Sequence, residues 1–122
     1  MTPQALEDRL IEFAVSIVEL TDKMPNTYAA RYYSNQLLRS GSSPALNYGE
    51  ARSAESNKDF IHKVSIIIKE LRESFICLKV IERTKLHPSM EIVSTVKSEC
   101  NELISIFVAS VNTAKKNLKD PE

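Results

Sequence analysis

The chain has 122 residues, of which 43% are apolar and 26% charged, and its 16 basic and 16 acidic residues leave a formal net charge of zero. This length fits one domain, 1–122, that buries its own core, and the zero net charge excludes the strongly cationic class of nucleic-acid-binding protein. The 2 glycines are too few for the many tight turns of an all-β fold and favour long helices.

The first predicted helix spans 3–23. Thr2 can cap it, and Pro3 suits a first helical turn, where the missing N–H has no partner in any case. A core-facing seam is predicted by apolar residues that recur every three or four positions: Leu6, Leu10, Phe13, Ile17 and Leu20. Further apolar residues widen this surface and predict more than one neighbour for the helix: Ile11, Ala14, Val15 and Val18.

The second predicted helix spans 27–53 and is interrupted in the stretch "GSSPALNYGEARSAES", residues 41–56. Gly41 and Pro44 lie close together, as they do where helices end. Pro44 is also allowed in the first turn of a renewed helical segment over 44–53. Two alternatives follow: one helix with a kink at 41–44, or a break at Gly41. Before the interruption, one predicted face carries Ala29, Tyr33 and Leu37, and beside it lie Ala30, Tyr32 and Leu38.

The third and fourth helices are predicted over 57–85 and 88–118. Ser56 and Asp59 have the spacing of a capping box. The exposed stripe of the third helix is predicted to be Lys58, His62, Ser65, Lys69 and Arg72. Apolar residues follow one another every three or four positions through the fourth helix, from Val93 to Leu118, and 120–122 form a frayed tail. Together the four helices predict an all-α, antiparallel, up-and-down four-helix bundle.

The middle of the chain, 26–86, holds ten basic and six acidic residues, whereas 1–25 hold two basic and five acidic ones. Candidate nucleic-acid-binding residues on helices 2 and 3 are Arg31, Arg39, Arg52, Lys58, Lys63, Lys69 and Arg72. These cations either contact phosphates or form an ordinary solvated face. Four tyrosines either stack on bases or pack at helix and subunit contacts: Tyr28, Tyr32, Tyr33 and Tyr48.

Catalytic, cofactor and metal sites are not predicted. Glu50 and Glu55 are five residues apart and do not share a helix face. Gly41 is not followed by the Gly-Lys-Ser/Thr of a phosphate loop. We predict instead a structural polar network of Asn47, Glu50 and Arg72.

The remaining chemistry-bearing residues have structural interpretations. Cys77 and Cys100 are predicted to be reduced core thiols, too few for a zinc cluster. His62 is predicted to be solvated, and His87, before Pro88, to act in a turn or cap. With no signal-peptide pattern and no run of about 20 apolar residues, we expect a cytoplasmic protein without a membrane partner.

The run "SPALNYGEARSAESNKDFIHKVSIIIKELRES" resembles the four-helix-bundle proteins of the 23S ribosomal RNA intervening-sequence family. The features that match are an Asn-x-x-Glu element, a Ser-x-Lys-Asp-Phe-Ile element and a Leu-x-Glu element: Asn47 and Glu50; Ser56, Lys58, Asp59, Phe60 and Ile61; Leu71 and Glu73. Ala51 replaces the usual glycine of the family, and Gly49 precedes it, which indicates a divergent branch.

This resemblance implies a cytoplasmic bacterial protein that assembles into a ring, pentameric in known members, with no established enzymatic activity. The family includes the accessory variability determinants of diversity-generating retroelements, which bind nucleic acid and a reverse transcriptase. The favoured hypothesis is therefore a non-enzymatic homo-oligomeric interaction protein, expected to be a homopentamer. The alternative is an accessory protein that binds structured RNA or DNA through a basic face on helices 2 and 3.

Overall fold

The computed structural model describes residues 1–119, which form four helices joined by short connections. They are α1 (Pro3–Asp22), α2 (Tyr28–Arg52), α3 (Asn57–Thr84) and α4 (Met90–Lys119). The predicted all-α four-helix bundle is confirmed, with helix ends within two residues of those predicted. The frayed tail predicted at 120–122 lies outside the described residues.

The helices pack as a closed square. α1 lies next to α2 and α4, α3 lies next to the same two helices, and within residues 1–119 the backbones of the diagonal pairs do not approach each other. The contact between α1 and α4 is the least extensive of the four. Arg9 holds this side together, since its Nε and Nη2 donate to the carboxylate of Glu99 at 2.8 and 2.6 Å and Nη2 also lies 3.0 Å from Glu102.

Each helix begins after a hydroxyl residue whose side chain accepts a hydrogen bond from a backbone N–H three residues later: Thr2, Thr27, Ser56 and Ser89. Such caps satisfy one of the N–H groups left without a partner in a first turn. The cap at Ser89 corrects the predicted start of the fourth helix, because Pro88 lies in the connection and the helix begins at Met90. Lys85, with φ of 55°, ends α3 in the left-handed conformation.

The predicted core seams of α1 and α4 are buried, apart from Leu118, which is 53% exposed at the end of α4. The face of α2 that carries Ala29, Tyr33 and Leu37 is only partly buried. Ala29 is exposed and Tyr33 is half-buried, whereas Leu37 and the neighbouring Ala30 are fully buried. Beyond Leu37, α2 continues to contribute buried residues as far as Ala51.

α2 runs without interruption through 41–44, so of the two alternatives the break at Gly41 is wrong and a single helix is found. Pro44 is buried within the helix although it has no N–H for the ladder and its ring crowds the preceding turn. Gly41 is also buried, and a Cβ atom there would lie 2.7 Å from Cγ1 of Ile17 on α1. The glycine is thus a point of close helix approach, and tertiary packing holds α2 together where local propensity would end it.

A pair of buried serines joins α2 to α3. Ser40 Oγ lies 2.8 Å from Ser74 Oγ, and Ser74 Oγ donates to the carbonyl of Glu70 at 3.1 Å. Because the Ser74 proton is used in that second bond, Ser40 donates to Ser74. Both hydroxyls are therefore satisfied, and the pair favours one register of the two helices.

His87 ties the α3–α4 connection to α1. Its ring is only 3% exposed, and Nδ1 accepts a hydrogen bond from the N–H of Ser89 at 2.9 Å. Nε2 therefore carries the proton and donates to the carbonyl of Leu20 at 3.1 Å. This bond satisfies one of the last carbonyls of α1. The predicted turn role of His87 is confirmed, and His62 is exposed as predicted.

The two glycines of α2 should respond oppositely to alanine. Gly49→Ala should raise the free energy of unfolding by about 0.5–1 kcal/mol, since alanine restricts the unfolded chain and its Cβ would meet Glu7 only at 3.9 Å. Gly41→Ala should lower the free energy of unfolding by about 1–3 kcal/mol through overpacking against Ile17. Urea unfolding followed by circular dichroism measures both, and equal stabilisation by the two substitutions would contradict the close approach.

Candidate functional site

An open groove of about 710 Å³ runs along the outer side of the α2–α3 contact. Its apolar lining includes Tyr32, Tyr33, Ile68, Ile76 and Cys77, and its cations are Arg39, Lys69 and Arg72. Three of the seven predicted nucleic-acid-binding residues are therefore brought to one place. The antiparallel course of α2 and α3 produces this grouping, because it sets residues near 39 beside residues near 72.

Of the groove cations, Arg39 is committed to its own chain. Its Nη1 lies 2.9 Å from Glu70 and its Nη2 lies 2.7 Å from Glu73. The hydrogen bond to Glu73 is the main cause that raises the pKa of Arg39, followed by the charge of Glu70. Lys69 and Arg72 are exposed and form no ion pair with the described residues, so these two cations are available to a partner.

The other predicted cations lie outside the groove. Arg52 pairs with Glu7 of α1 at 3.1 Å, and Lys63 lies 3.4 Å from Glu50. Arg31 donates to Asn26 at 2.8 Å near the start of α2. Lys58 is exposed at the start of α3. Hence the predicted basic face is divided among several sites, and much of its charge is neutralised within the chain.

The predicted network of Asn47, Glu50 and Arg72 is replaced by separate contacts. Asn47 donates to Ser43 Oγ at 3.0 Å within α2, and Glu50 pairs with Lys63 across to α3. Arg72 lies nine residues beyond Lys63, about 13.5 Å further along the helix axis. Among residues 1–119, no hydrogen bond joins these three side chains to one another.

The buried polar contact between α2 and α3 is instead the Ser40–Ser74 pair, which the sequence analysis missed. Both serines occupy core positions, three residues after Leu37 and three after Leu71 respectively. The sequence signal for this pair is a serine at a position where the helical repeat otherwise places an apolar core residue.

The tyrosines divide between core and surface. Tyr48 is buried, with its ring edge-on to Phe107 at a centroid distance of 5.4 Å. Tyr33 is half-buried and meets Tyr32 edge-on at 5.1 Å. Tyr32 and Tyr28 are 51% and 81% exposed. The helix-packing interpretation holds for Tyr33 and Tyr48, and Tyr32 is left as the aromatic edge of the groove.

A second surface lies on the outside of α1. Ile11, Val15 and Val18 are 44%, 41% and 50% exposed and recur at spacings of four and three, so they form one apolar stripe. Four exposed acids on the same helix form no ion pair within residues 1–119: Asp8, Glu12, Glu19 and Asp22. We call the stripe together with these acids the outer face of α1.

The two thiols are free and occupy different environments. Cys100 is buried and its thiol donates to the carbonyl of Leu71 at 3.2 Å, and burial raises its pKa to about 12. Cys77 is half-buried in the groove, where burial and then the charge of Glu73 raise its pKa. In the described part of the chain, no group of three His, Cys, Asp or Glu side chains is placed to hold a metal ion. No helix within residues 1–119 combines the length and apolar character needed to cross a membrane.

Comparison with known proteins assigns the fold to a family. The family described as 23S rRNA-intervening sequence protein matches residues 6–109. The chain belongs to this family. The resemblance predicted from the stretch between Ser43 and Ser74 is thereby confirmed, and it extends through all four helices.

A solved structure is similar over nearly the whole chain. It is the crystal structure of a protein with unknown function from the S23 ribosomal protein family of Bacteroides thetaiotaomicron. The two chains superpose with a TM-score of 0.82 at 31% identity, over 92% of this chain and 99% of that one. A comparison with curated proteins gave no match.

In this member of the 23S rRNA-intervening sequence family, Cys77 should be the thiol that reports on the groove. The thiolate is the reactive form, so the raised pKa values predict slow labelling by a disulfide reagent at neutral pH and faster labelling as the pH rises. Native protein should label at Cys77, and Cys77→Ser should abolish labelling until denaturant exposes Cys100. Unchanged native labelling of Cys77→Ser would show that Cys100 is accessible.

Proposed function

We propose that this chain is a non-enzymatic, homo-oligomeric interaction protein whose copies associate through the outer face of α1. The apolar stripe of Ile11, Val15 and Val18 carries this proposal. Apolar residues that recur with helical spacing are normally buried, but these side chains are 41–50% exposed. A contiguous exposed apolar stripe is typical of an interaction site. We further propose a closed ring, with the five copies that the family resemblance implies.

Burial of the stripe alone would stabilise an assembly only modestly. Full burial of a branched aliphatic side chain contributes about 1.5–3 kcal/mol, and roughly half of each of these is already buried. Association costs about 4 kcal/mol or more in lost rotational and translational freedom. The proposed interface must therefore include a second surface of the partner.

One observation supports a binding role rather than catalysis, and a second supports a cytoplasmic location. The carboxylates of Glu73 in the groove and of Glu70 beside it are both engaged by Arg39, which leaves neither poised as a general acid or base. Both cysteines are free thiols, as is usual in a reducing compartment.

Light scattering coupled to size-exclusion chromatography tests the assembly. At micromolar concentration the measured mass should be several times the 13.8 kDa of one chain. Replacing Ile11, Val15 and Val18 together by serine should shift the protein to monomer, because the apolar contact is lost. Leu118→Ser, which changes an equally exposed apolar residue on α4, should leave the mass unchanged. A monomeric wild-type protein at every concentration would refute the proposed function.

A second candidate function, nucleic-acid binding, rests on the groove. Lys69 and Arg72 are unpaired cations beside the exposed ring of Tyr32, which is the combination of phosphate contact and stacking platform that single-stranded nucleic acid uses. Ring assembly would repeat this weak site and raise its avidity. The candidate ranks second because Arg39, Arg52 and Lys63 are already paired with acids.

Fluorescence anisotropy with structured RNA, single-stranded DNA and duplex DNA tests this candidate. Affinity should fall steeply with salt, by about 0.9 log units per log unit of salt for each phosphate contacted on duplex DNA. Lys69→Ala with Arg72→Ala should weaken binding and flatten that slope. Lys115→Ala with Lys116→Ala removes the same charge from α4 and should have little effect. Absence of binding at low salt would eliminate nucleic acid as a partner.

A further inference from the structure

The acids of the outer face of α1 do not stabilise the helix that carries them. Glu19 and Asp22 occupy its last turn, where the helix dipole disfavours negative charge. No basic residue lies in that turn to offset them, and neither forms an ion pair within the described chain. These carboxylates are therefore available to a partner of opposite charge.

The α2–α3 groove has the complementary composition. Its exposed apolar edge is formed by Tyr32 and Ile76, which are 51% and 58% exposed. Beside them lie Lys69 and Arg72, the two groove cations that form no ion pair within residues 1–119. Each surface thus combines exposed apolar side chains with unpaired charge, and the sign of the charge is opposite in the two.

The two surfaces also agree in length. From Asp8 to Asp22 the outer face of α1 contains fifteen residues, and the fourteen helical steps between its ends cover about 21 Å. The α3 wall of the groove contains the thirteen residues from Ser65 to Cys77, and the twelve steps between its ends cover about 18 Å. A helix of this kind can therefore lie along the groove and place its stripe and its acids against it together.

We propose that α1 of one copy docks by its outer face into the α2–α3 groove of the next copy. The proposal rests on the self-association argued above and names the surface that receives the stripe. Ile11, Val15 and Val18 pack against Tyr32 and Ile76, while the acids of α1 lie beside Lys69 and Arg72. The apolar contact supplies the burial, and the charges set orientation and exclude wrong pairings.

This contact is heterologous, because each copy contributes one surface and receives the other. α1 and α3 lie diagonally opposite within one bundle, so the two surfaces face different directions and both can be used at once. Contacts of this type close into rings or extend as filaments. The alternative, two outer faces of α1 packed on each other, would oppose unpaired carboxylates from both copies, and like charges in an interface disfavour it.

A charge exchange tests the proposal. One variant carries Glu12→Lys and Glu19→Lys, and the other carries Lys69→Glu and Arg72→Glu. All four positions are exposed, so both variants should fold, as circular dichroism and thermal unfolding would verify. Alone, each places like charges against each other and should assemble at least about tenfold more weakly than wild type.

Mixing the two variants should restore association between unlike copies, because the reversed α1 of one now fits the reversed groove of the other and the unaltered pair fits as before. A ring of five copies cannot alternate the two variants throughout, so recovery is read as mixed complexes larger than those that either variant forms alone. Native mass spectrometry with one variant isotopically labelled should find both variants in the same complexes. Lys115→Glu with Lys116→Glu is the matched control on α4 and should neither dissociate the protein nor complement either variant.

The outcomes separate the two proposals. Docking in the groove is overturned if the groove variant assembles normally or if the mixture does not recover. The proposed function survives either result as long as the wild-type protein assembles. A groove variant that assembles normally but no longer binds RNA also overturns it and assigns the groove to nucleic acid. A monomeric wild-type protein refutes both proposals.

Discussion

Ile17 packs on Gly41 so closely that a Cβ atom on α2 would have no room. This contact draws α1 against the middle of α2, where Pro44 removes a rung of the helical ladder. Because α2 continues past that point, Tyr48 reaches Phe107 on α4 and Arg52 reaches Glu7 on α1. An α2 that ended at Gly41 would lose both contacts.

Buried polar contacts then determine which turns of neighbouring helices face each other. The Ser40–Ser74 pair aligns α2 with α3, the Cys100 thiol bonds the carbonyl of Leu71 between α3 and α4, and His87 joins the last connection to Leu20. Within residues 1–119, every fully buried side-chain nitrogen or oxygen has a partner. Apolar packing tolerates sliding by a turn more readily than these bonds do, because a shifted register would leave a buried hydroxyl or imidazole unsatisfied. This alignment of the helices determines which side chains line the groove.

The sequence alone predicts where the helices lie along the chain, but it does not predict which residues of neighbouring helices contact each other. Seams with strict spacing, such as Leu6 to Leu20, and hydroxyl caps such as Ser56 are local signals, and such signals located the ends of the four helices to within two residues. They left the continuity of α2 at 41–44 open, because glycine and proline report local propensity, whereas tertiary contacts hold that helix together. The network assigned to Asn47, Glu50 and Arg72 failed for a related reason: helical spacing shows which residues share a face, but not which turn of the next helix they meet. The same limit hid the pairing of Arg39 with two glutamates more than thirty residues away.

The limited contact between α1 and α4, held at Arg9, has a consequence for how the molecule unfolds. A helix with one extensive neighbour and one sparse one has a lower free energy of local opening than its fellows, so backbone hydrogens of α1 would exchange with solvent ahead of those in α3. In the proposed assembly this least anchored helix is also the one that the adjacent copy covers. Protein concentration would then govern the integrity of each protomer as well as the number of copies, since binding stabilises the closed form by mass action.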